Sequence, residues 1–258
     1  MQAVRVHDFA KPPNSLSISL DVVPAPVLAS NEHDRHVLVQ VHFVGVQYPD
    51  TLQARGLYQV KPQLPYGKKG KGHHKFIVGP RLTLLFVCFY WKVPCMDCSG
   101  IVLEVGSKVN HVKPGDPVVV TCLDEGGTGA MAQQILISSK FVYRIPQPTS
   151  HSPRPTALPL ETCSNIGRNY FAAFHSLKTI GEVGPHSLVL ISGASGGVGM
   201  ACIELAKAMG ATVIAGVSTA EKAVWPPQVG ADATLVYGKT KACFRQFKQQ
   251  VDSSSAAR

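Results

Sequence analysis

Acidic residues are scarce in this chain: 16 Asp and Glu stand against 25 Lys and Arg, leaving a formal net charge of +9. The balance is basic, and much of it sits in one run between Gly67 and Lys75. Long hydrophobic runs are also missing. None approaches the roughly 20 apolar residues that a membrane-crossing helix needs, so no membrane span is expected. No basic segment leading into an apolar one opens the chain, and no secretory signal is expected. Met1 to Asp8 is not the arginine-rich, acid-free pattern of a mitochondrial presequence. The seven cysteines have no regular spacing, which excludes a disulfide framework and points to a reducing compartment. We expect the cytoplasm, with the mitochondrion as the alternative. Cys95-x-x-Cys98 lacks the second pair that a tetrahedral zinc site requires, so no metal is expected. The H-E-x-x-H motif, paired carboxylates and a Ser–His–acid constellation are all wanting, which argues against a hydrolase. There is no internal repeat.

What is present centres on Leu188-Val-Leu-Ile-Ser192 followed by Gly193-Ala194-Ser195-Gly196-Gly197-Val198-Gly199. A short β-branched apolar run suits a parallel strand covered on both faces. The glycine-rich turn then leads into a helix expected from Val198 to about Met209, ended by Gly210, with a second strand from Ala211 to Val217. This is a βαβ unit whose helix N-terminus offers free backbone N–H groups to a phosphate. Gly196 would let the backbone approach a pyrophosphate, and Gly199 would let helix pack close to strand. Ala194 is read as holding the first glycine position of the fingerprint. A tight turn with no ligand is the competing reading. The second strand ends in Ser218 and not in the acidic residue that holds a ribose 2′-hydroxyl, and Lys222 follows. A hydroxyl and an ammonium suit a 2′-phosphate, so NADP(H) is favoured over NAD(H). Lys222 as a plain solvated lysine is the alternative.

Ala194 to Gly199, Val217-Ser-Thr-Ala-Glu-Lys-Ala223, Gly230-Ala-Asp232 and Val236-Tyr237, with their spacing, resemble the quinone oxidoreductases. These are the zeta-crystallin-like, zinc-free branch of the medium-chain dehydrogenase/reductase superfamily. The resemblance implies an α/β chain: a β-rich GroES-like catalytic domain over residues 1–150, then an incomplete Rossmann domain, a doubly wound parallel sheet, over 151–258. The boundary falls in the polar, proline-rich Ser150 to Thr156. The implied activity is hydride transfer from NADPH to a quinone or an α,β-unsaturated carbonyl. The cofactor-binding residues would be Ala194, Ser195, Gly196, Gly197, Val198, Gly199, Ser218, Lys222 and Tyr237.

Upstream, Ala3 to Val6, Leu16 to Leu20 and Val37 to Val46 alternate or run as strands, broken by Pro12-Pro13 and Pro24-Ala-Pro26. Gly45 to Tyr58 is similar to the family's active-site loop and short helix. The resemblance places Gln47, Tyr48 and Tyr58 as catalytic residues near the nicotinamide, where a hydrogen-bond donor could stabilise a carbonyl gaining negative charge. For the tyrosines, half-buried packing is the alternative. The family commonly has asparagine where Gln47 stands, glutamate where Asp97 stands and threonine where Ala172 stands. Met96 to Gly106, the Pro114-Gly115-Asp116 turn and Gly126 to Ala132 also resemble it, and Ile135 to Ile137 and Val142 to Pro146 follow as strands.

Residues 67–92 depart from the family. A basic, glycine-spaced run, Gly67 to Lys75, precedes the apolar Leu82 to Trp91. It reads as a surface-loop insertion, as a nucleic-acid or interfacial patch, or as sequence foreign to the fold, such as a retained intron. The last is favoured, because an exposed β-prone apolar segment is an aggregation hazard. Downstream, Asn169 to Leu177 reads as the linking helix. Trp225-Pro226-Pro227 interrupts the second helix of the unit, Leu235 to Tyr237 is a third strand, and Ala242 to Val251 a further helix. The chain then covers about two thirds of the family fold, roughly one of the two sheet halves of a dinucleotide site. A truncated, catalytically silent isoform that binds nucleotide weakly, or nucleic acid through the basic run, is the competing reading. Family members usually form homodimers.

Overall fold

The strands divide by neighbour preference: an antiparallel set upstream and a parallel set downstream. The structure, a computed structural model, describes residues 1–11, 15–29, 33–55, 57, 76–77, 83–84, 95–121, 129–148 and 157–237. Tyr58, most of 67–92, Gly126 to Thr128, the Ser150 to Thr156 connector and the helix expected at Ala242 to Val251 lie outside these residues. The chain separates into two units, Met1–Gly167 and Arg168–Arg258.

In the first unit, β1 (Gln2–Lys11) and β2 (Ser15–Val22) form an antiparallel pair. Strand β3 (His36–Gly45) leads into the short helix α1 (Tyr48–Ala54). Two small strands, β4 (Phe76–Ile77) and β5 (Thr83–Leu84), pair antiparallel inside the atypical segment. Then come β6 (Asp97–Val105), β7 (Pro117–Thr121), β8 (Gln134–Ser138) and β9 (Val142–Arg144). They join β3 in a five-stranded sheet of order β8-β3-β6-β7-β9. Alternation decides which side chains go inward. Val37, Val39, Val102, Val118, Val120, Ile135, Ile137 and Val142 form its core. Burying each contributes roughly 1.5–3 kcal/mol. The Pro114-Gly115-Asp116 segment is a tight turn closed by Asp116 N–H to Lys113 O at 3.1 Å, with Gly115 at φ +88°. That is a type II arrangement, where proline presets the first corner and glycine takes the second. The one-turn helix α2 (Leu160–Cys163) closes the unit, and the Ser99 hydroxyl donates to Leu160 O.

The helix α3 (Ile166–Phe174) continues into a wider π-helical segment, His175–Ile180, closed by Gly181 N–H to Ser176 O at 2.9 Å. Strand β10 (Leu188–Ser192), helix α4 (Gly197–Ala208), β11 (Thr212–Val217) and β12 (Ala233–Val236) follow. The three strands are parallel, in the order β10-β11-β12. The expected βαβ unit is therefore present. Between β11 and β12 the chain makes two 3₁₀ turns, Ala220–Val224 and Pro226–Val229, in place of an α-helix. Pro226 and Pro227 lack the N–H groups that an α-helix would use there. The core is Ile191, Ile203, Val213, Ala215 and Val217 with small residues Ala194, Ala201 and Ala206. Lys207 bridges Asp232 at 2.8 Å, and Asp232 also accepts from Val213 N–H, tying α4 to the loop before β12. Leu188 and Leu190 on β10, and Phe171 and Phe174 on α3, remain exposed. Among the described residues no helix is long and apolar enough to cross a membrane.

Candidate functional site

The strand register decides what meets at the carboxyl end of the parallel sheet. Ser192 pairs with Gly216, and Val217 with Val236. The three segments that leave those strand ends, 193–199, 218–222 and Tyr237, therefore emerge at one edge. Open α/β sheets bind their ligands outside this edge.

The glycine turn is shaped by two different constraints. Gly193 sits at φ +62°, a conformation that side-chain-bearing residues avoid. Gly199 is buried, and a Cβ there would lie 2.4 Å from Gly193 O and 2.8 Å from Ala194 Cα. Only glycine lets α4 approach the strand exit so closely. Gly196 is different. It adopts φ −87°, ψ 165°, open to any residue, and a Cβ would meet only Gly193 O at 3.3 Å. The fold does not require a glycine there, but the close approach of a ligand would.

Backbone donors point the same way. The first intrahelical bond of α4 runs from Met200 N–H to Gly196 O at 2.9 Å. The N–H groups of Gly197, Val198 and Gly199 precede it and have no intrahelical acceptor. Gly196, Gly197 and Val198 are exposed, and Ser195 is half-buried. Ala194 is buried, and its N–H goes to Gly216 O at 3.0 Å. What Ala194 brings to the turn is thus a packed methyl group. These features fit a pyrophosphate: N–H donors, a helix dipole and a turn clear of side chains.

Lys222 Nζ lies 3.5 Å from Ser218 Oγ, so the ammonium and hydroxyl share one spot at the β11 exit. Tyr237 is half-buried just past β12, its N–H bonded to Val217 O at 2.9 Å.

Two contributors escaped the sequence reading. Gly193, not Ala194, makes the positive-φ turn, and the three-residue spacing Gly193–Gly196–Gly199 was its signal. Asn169 is the second. A Cβ on Gly197 would stand 2.7 Å from the Asn169 side-chain nitrogen, so this amide lies against the start of α4. No local pattern announces it. Nearby, the Tyr170 hydroxyl donates to the Glu204 carboxylate. Burial, then that hydrogen bond and the adjacent negative charge, push the Tyr170 phenol up to about 12.

In the first unit, Gln47 follows the end of β3 and enters α1. Its backbone N–H donates to Asp50 Oδ2 at 2.7 Å, and Asp50 N–H returns to Gln47 O at 3.0 Å. Its side-chain amide donates to Asp97 Oδ2. Asp50 and Asp97 are both buried. Tyr48 is exposed, and its carbonyl accepts from the Thr51 hydroxyl at 2.7 Å. Tyr58 lies outside the described residues. Cys95, Cys98 and Cys163 are buried, and burial raises the Cys163 thiol above its ordinary value. Among the described residues no three His, Cys, Asp or Glu side chains converge as a metal site would require.

The alcohol dehydrogenase GroES-like domain family matches residues 33–147, the region of the five-stranded sheet. Quinone oxidoreductase of Homo sapiens is 30% identical over 222 residues, covering 86% of this chain and 54% of that one. Quinone oxidoreductase-like protein 2 of Mus musculus is 30% identical over 220 residues, covering 85% and 50%. The chain is a homologue of the quinone oxidoreductases. Its architecture agrees. An Escherichia coli quinone oxidoreductase, solved in complex with NADPH, superposes with a TM-score of 0.65 at 22% identity, covering 95% of this chain and 61% of that one. A probable oxidoreductase from Mycobacterium abscessus gives a TM-score of 0.69 at 23% identity, covering 98% and 66%. The expected GroES-like and Rossmann layout of the quinone oxidoreductases is thereby borne out as a fold. The chain spans about half the length of the curated quinone oxidoreductases it matches.

Proposed function

We propose that this chain binds NADPH at the carboxyl edge of its parallel sheet and serves the two-electron reduction of a quinone or an α,β-unsaturated carbonyl. The observation that carries the reading is the meeting, at one sheet edge, of the glycine turn with the Ser218–Lys222 pair. NADPH, when bound, supplies the hydride, and solvent supplies the proton that completes the reduction. The residues of the chain bind and orient. N–H groups of Gly197 to Gly199 take the pyrophosphate, Ser195 and Gly196 leave it room, Ser218 and Lys222 take the 2′-phosphate, and Tyr237 lines the adenosine side. In the first unit, Gln47 and Tyr48, with Tyr58, are assigned to the acceptor carbonyl, where a donated hydrogen bond offsets growing negative charge. No zinc is invoked. The thiols favour a reducing compartment, the cytoplasm before the mitochondrion.

The test is a fluorescence titration of the purified chain with NADPH beside NADH, followed by a quinone reductase assay. Saturable binding, tighter for NADPH, is expected. Lys222→Ala should weaken NADPH by about tenfold or more and leave NADH unchanged, because a hydrogen bond to a charged group contributes about 1.5–3 kcal/mol. Folded protein that binds neither nucleotide would replace this reading with a catalytically silent one. Equal loss of NADH on Lys222→Ala would remove the 2′-phosphate assignment.

A further inference from the structure

A half-buried amide and a buried carboxylate, far apart in sequence, are in contact. The Gln47 amide donates to Asp97 Oδ2 across a separation of 50 residues. Asparagine with glutamate carries three side-chain methylenes in all, one and two. Glutamine with aspartate carries the same three, two and one. Exchanging one pair for the other keeps the reach between the two backbones and shifts one methylene between the β6 side and the loop side.

The surroundings make the match demanding. Asp97 begins β6, pairs with Gly45 of β3 and Thr121 of β7, and is fully buried. Gly167 roofs it: a Cβ on that residue would lie 3.0 Å from Asp97 Oδ1 and 2.5 Å from Thr121 Cγ2. A longer side chain at 97 has little room. A shorter one at 47 would leave a buried carboxyl without this donor. The loop cannot shift freely to compensate, because the reciprocal bonds with Asp50 hold the Gln47 backbone.

We propose that Gln47 and Asp97 are a length-matched pair in which the buried Asp97 is a positioning residue. It fixes the Gln47 amide one methylene farther from the loop backbone than an asparagine amide would lie. The amide keeps a second N–H and its carbonyl oxygen for the acceptor. The proposal rests on the assignment of Gln47 to the acceptor and adds the means by which the amide is held.

The experiment compares wild type with Gln47→Asn, Asp97→Glu, the double swap and the near-isosteric Asp97→Asn. Three readouts are taken: thermal midpoint, hydrogen exchange of the Gln47 side-chain amide by NMR, and kcat against KM for NADPH-dependent quinone reduction. Each single swap should lower the midpoint, and the double swap should recover most of the loss. In wild type the Gln47 amide should exchange more slowly than exposed glutamines, and Asp97→Asn should speed it. In an active chain the single swaps should cut kcat about tenfold or more at unchanged KM for NADPH, and the double swap should restore it, since mutants of a coupled unit are not additive. Additive midpoint losses, fast amide exchange in wild type, or a kcat indifferent to the single swaps would overturn the pair. A chain without reductase activity would defeat the proposed function, whereas the midpoint cycle and the amide exchange would still decide the pairing.

Discussion

Two glycines of one turn should respond to the same substitution in opposite ways. At Gly199 an alanine methyl would stand 2.4 Å from Gly193 O and 2.8 Å from Ala194 Cα. Both are backbone atoms, so no rotamer change relieves the contact, and α4 must move off the strand exit by about 1 Å. Overpacking of this kind costs about 1–3 kcal/mol. A backbone clash belongs near the upper end, and the gain of alanine over glycine in a helix returns only about 1 kcal/mol. A net loss of about 2 kcal/mol is expected for Gly199→Ala, a shift of several degrees in the thermal midpoint. At Gly196 the added methyl meets only Gly193 O at 3.3 Å, in a backbone conformation that alanine adopts freely. Alanine is a poorer N-cap than glycine, but it restricts the unfolded chain by about 0.4–1 kcal/mol. The two nearly cancel, so Gly196→Ala should fold as wild type does. Its methyl nonetheless projects into the space assigned to the pyrophosphate. NADPH binding by fluorescence titration should weaken about tenfold or more, equivalent to about 1.4 kcal/mol. Wild-type affinity in a folded Gly196→Ala protein would refute phosphate binding at this turn. An unchanged midpoint in Gly199→Ala would refute the packing argument itself.

Other consequences can be measured separately. His186 sits at φ +74° after Pro185, in a turn closed by Ser187 N–H to Gly184 O at 3.1 Å. Glycine suits that corner of a type II turn, so His186→Gly should raise unfolding stability by about 1 kcal/mol in urea denaturation. Among the described residues the buried Thr121 hydroxyl has no hydrogen-bond partner, so Thr121→Val should be neutral or stabilising by about 1 kcal/mol, and a clear loss in the thermal melt would contradict it. For Tyr170 the folded pKa, about 12, lies above the ordinary 10.0. Its contribution to stability is therefore complete below pH 10 and disappears as pH rises through about 12. A spectrophotometric titration should contain a late tyrosinate step, and Tyr170→Phe should abolish it.

Features set by neighbouring residues were legible in the sequence. The β10–turn–α4–β11 unit follows from an apolar β-branched run, closely spaced glycines and Gly210 at the helix end. The turn at Pro114-Gly115 follows from the φ each residue prefers. Pro226-Pro227 excludes an α-helix by lacking N–H groups, and the 3₁₀ turns are the result. All are consequences of backbone sterics within a few residues. Even there, Gly193 was passed over for Ala194, because the positive φ belongs to the turn as folded and not to a motif position. Tertiary structure decided the rest. Asn169 meets Gly197, and Gln47 meets Asp97, only because strands and helices distant in sequence pack together. The gathering of 193–199, Ser218, Lys222 and Tyr237 at one edge depends on the parallel register of three strands. No residue carries that register by itself. It arises when each strand buries its apolar faces against its neighbours, a condition satisfied by the whole sheet at once.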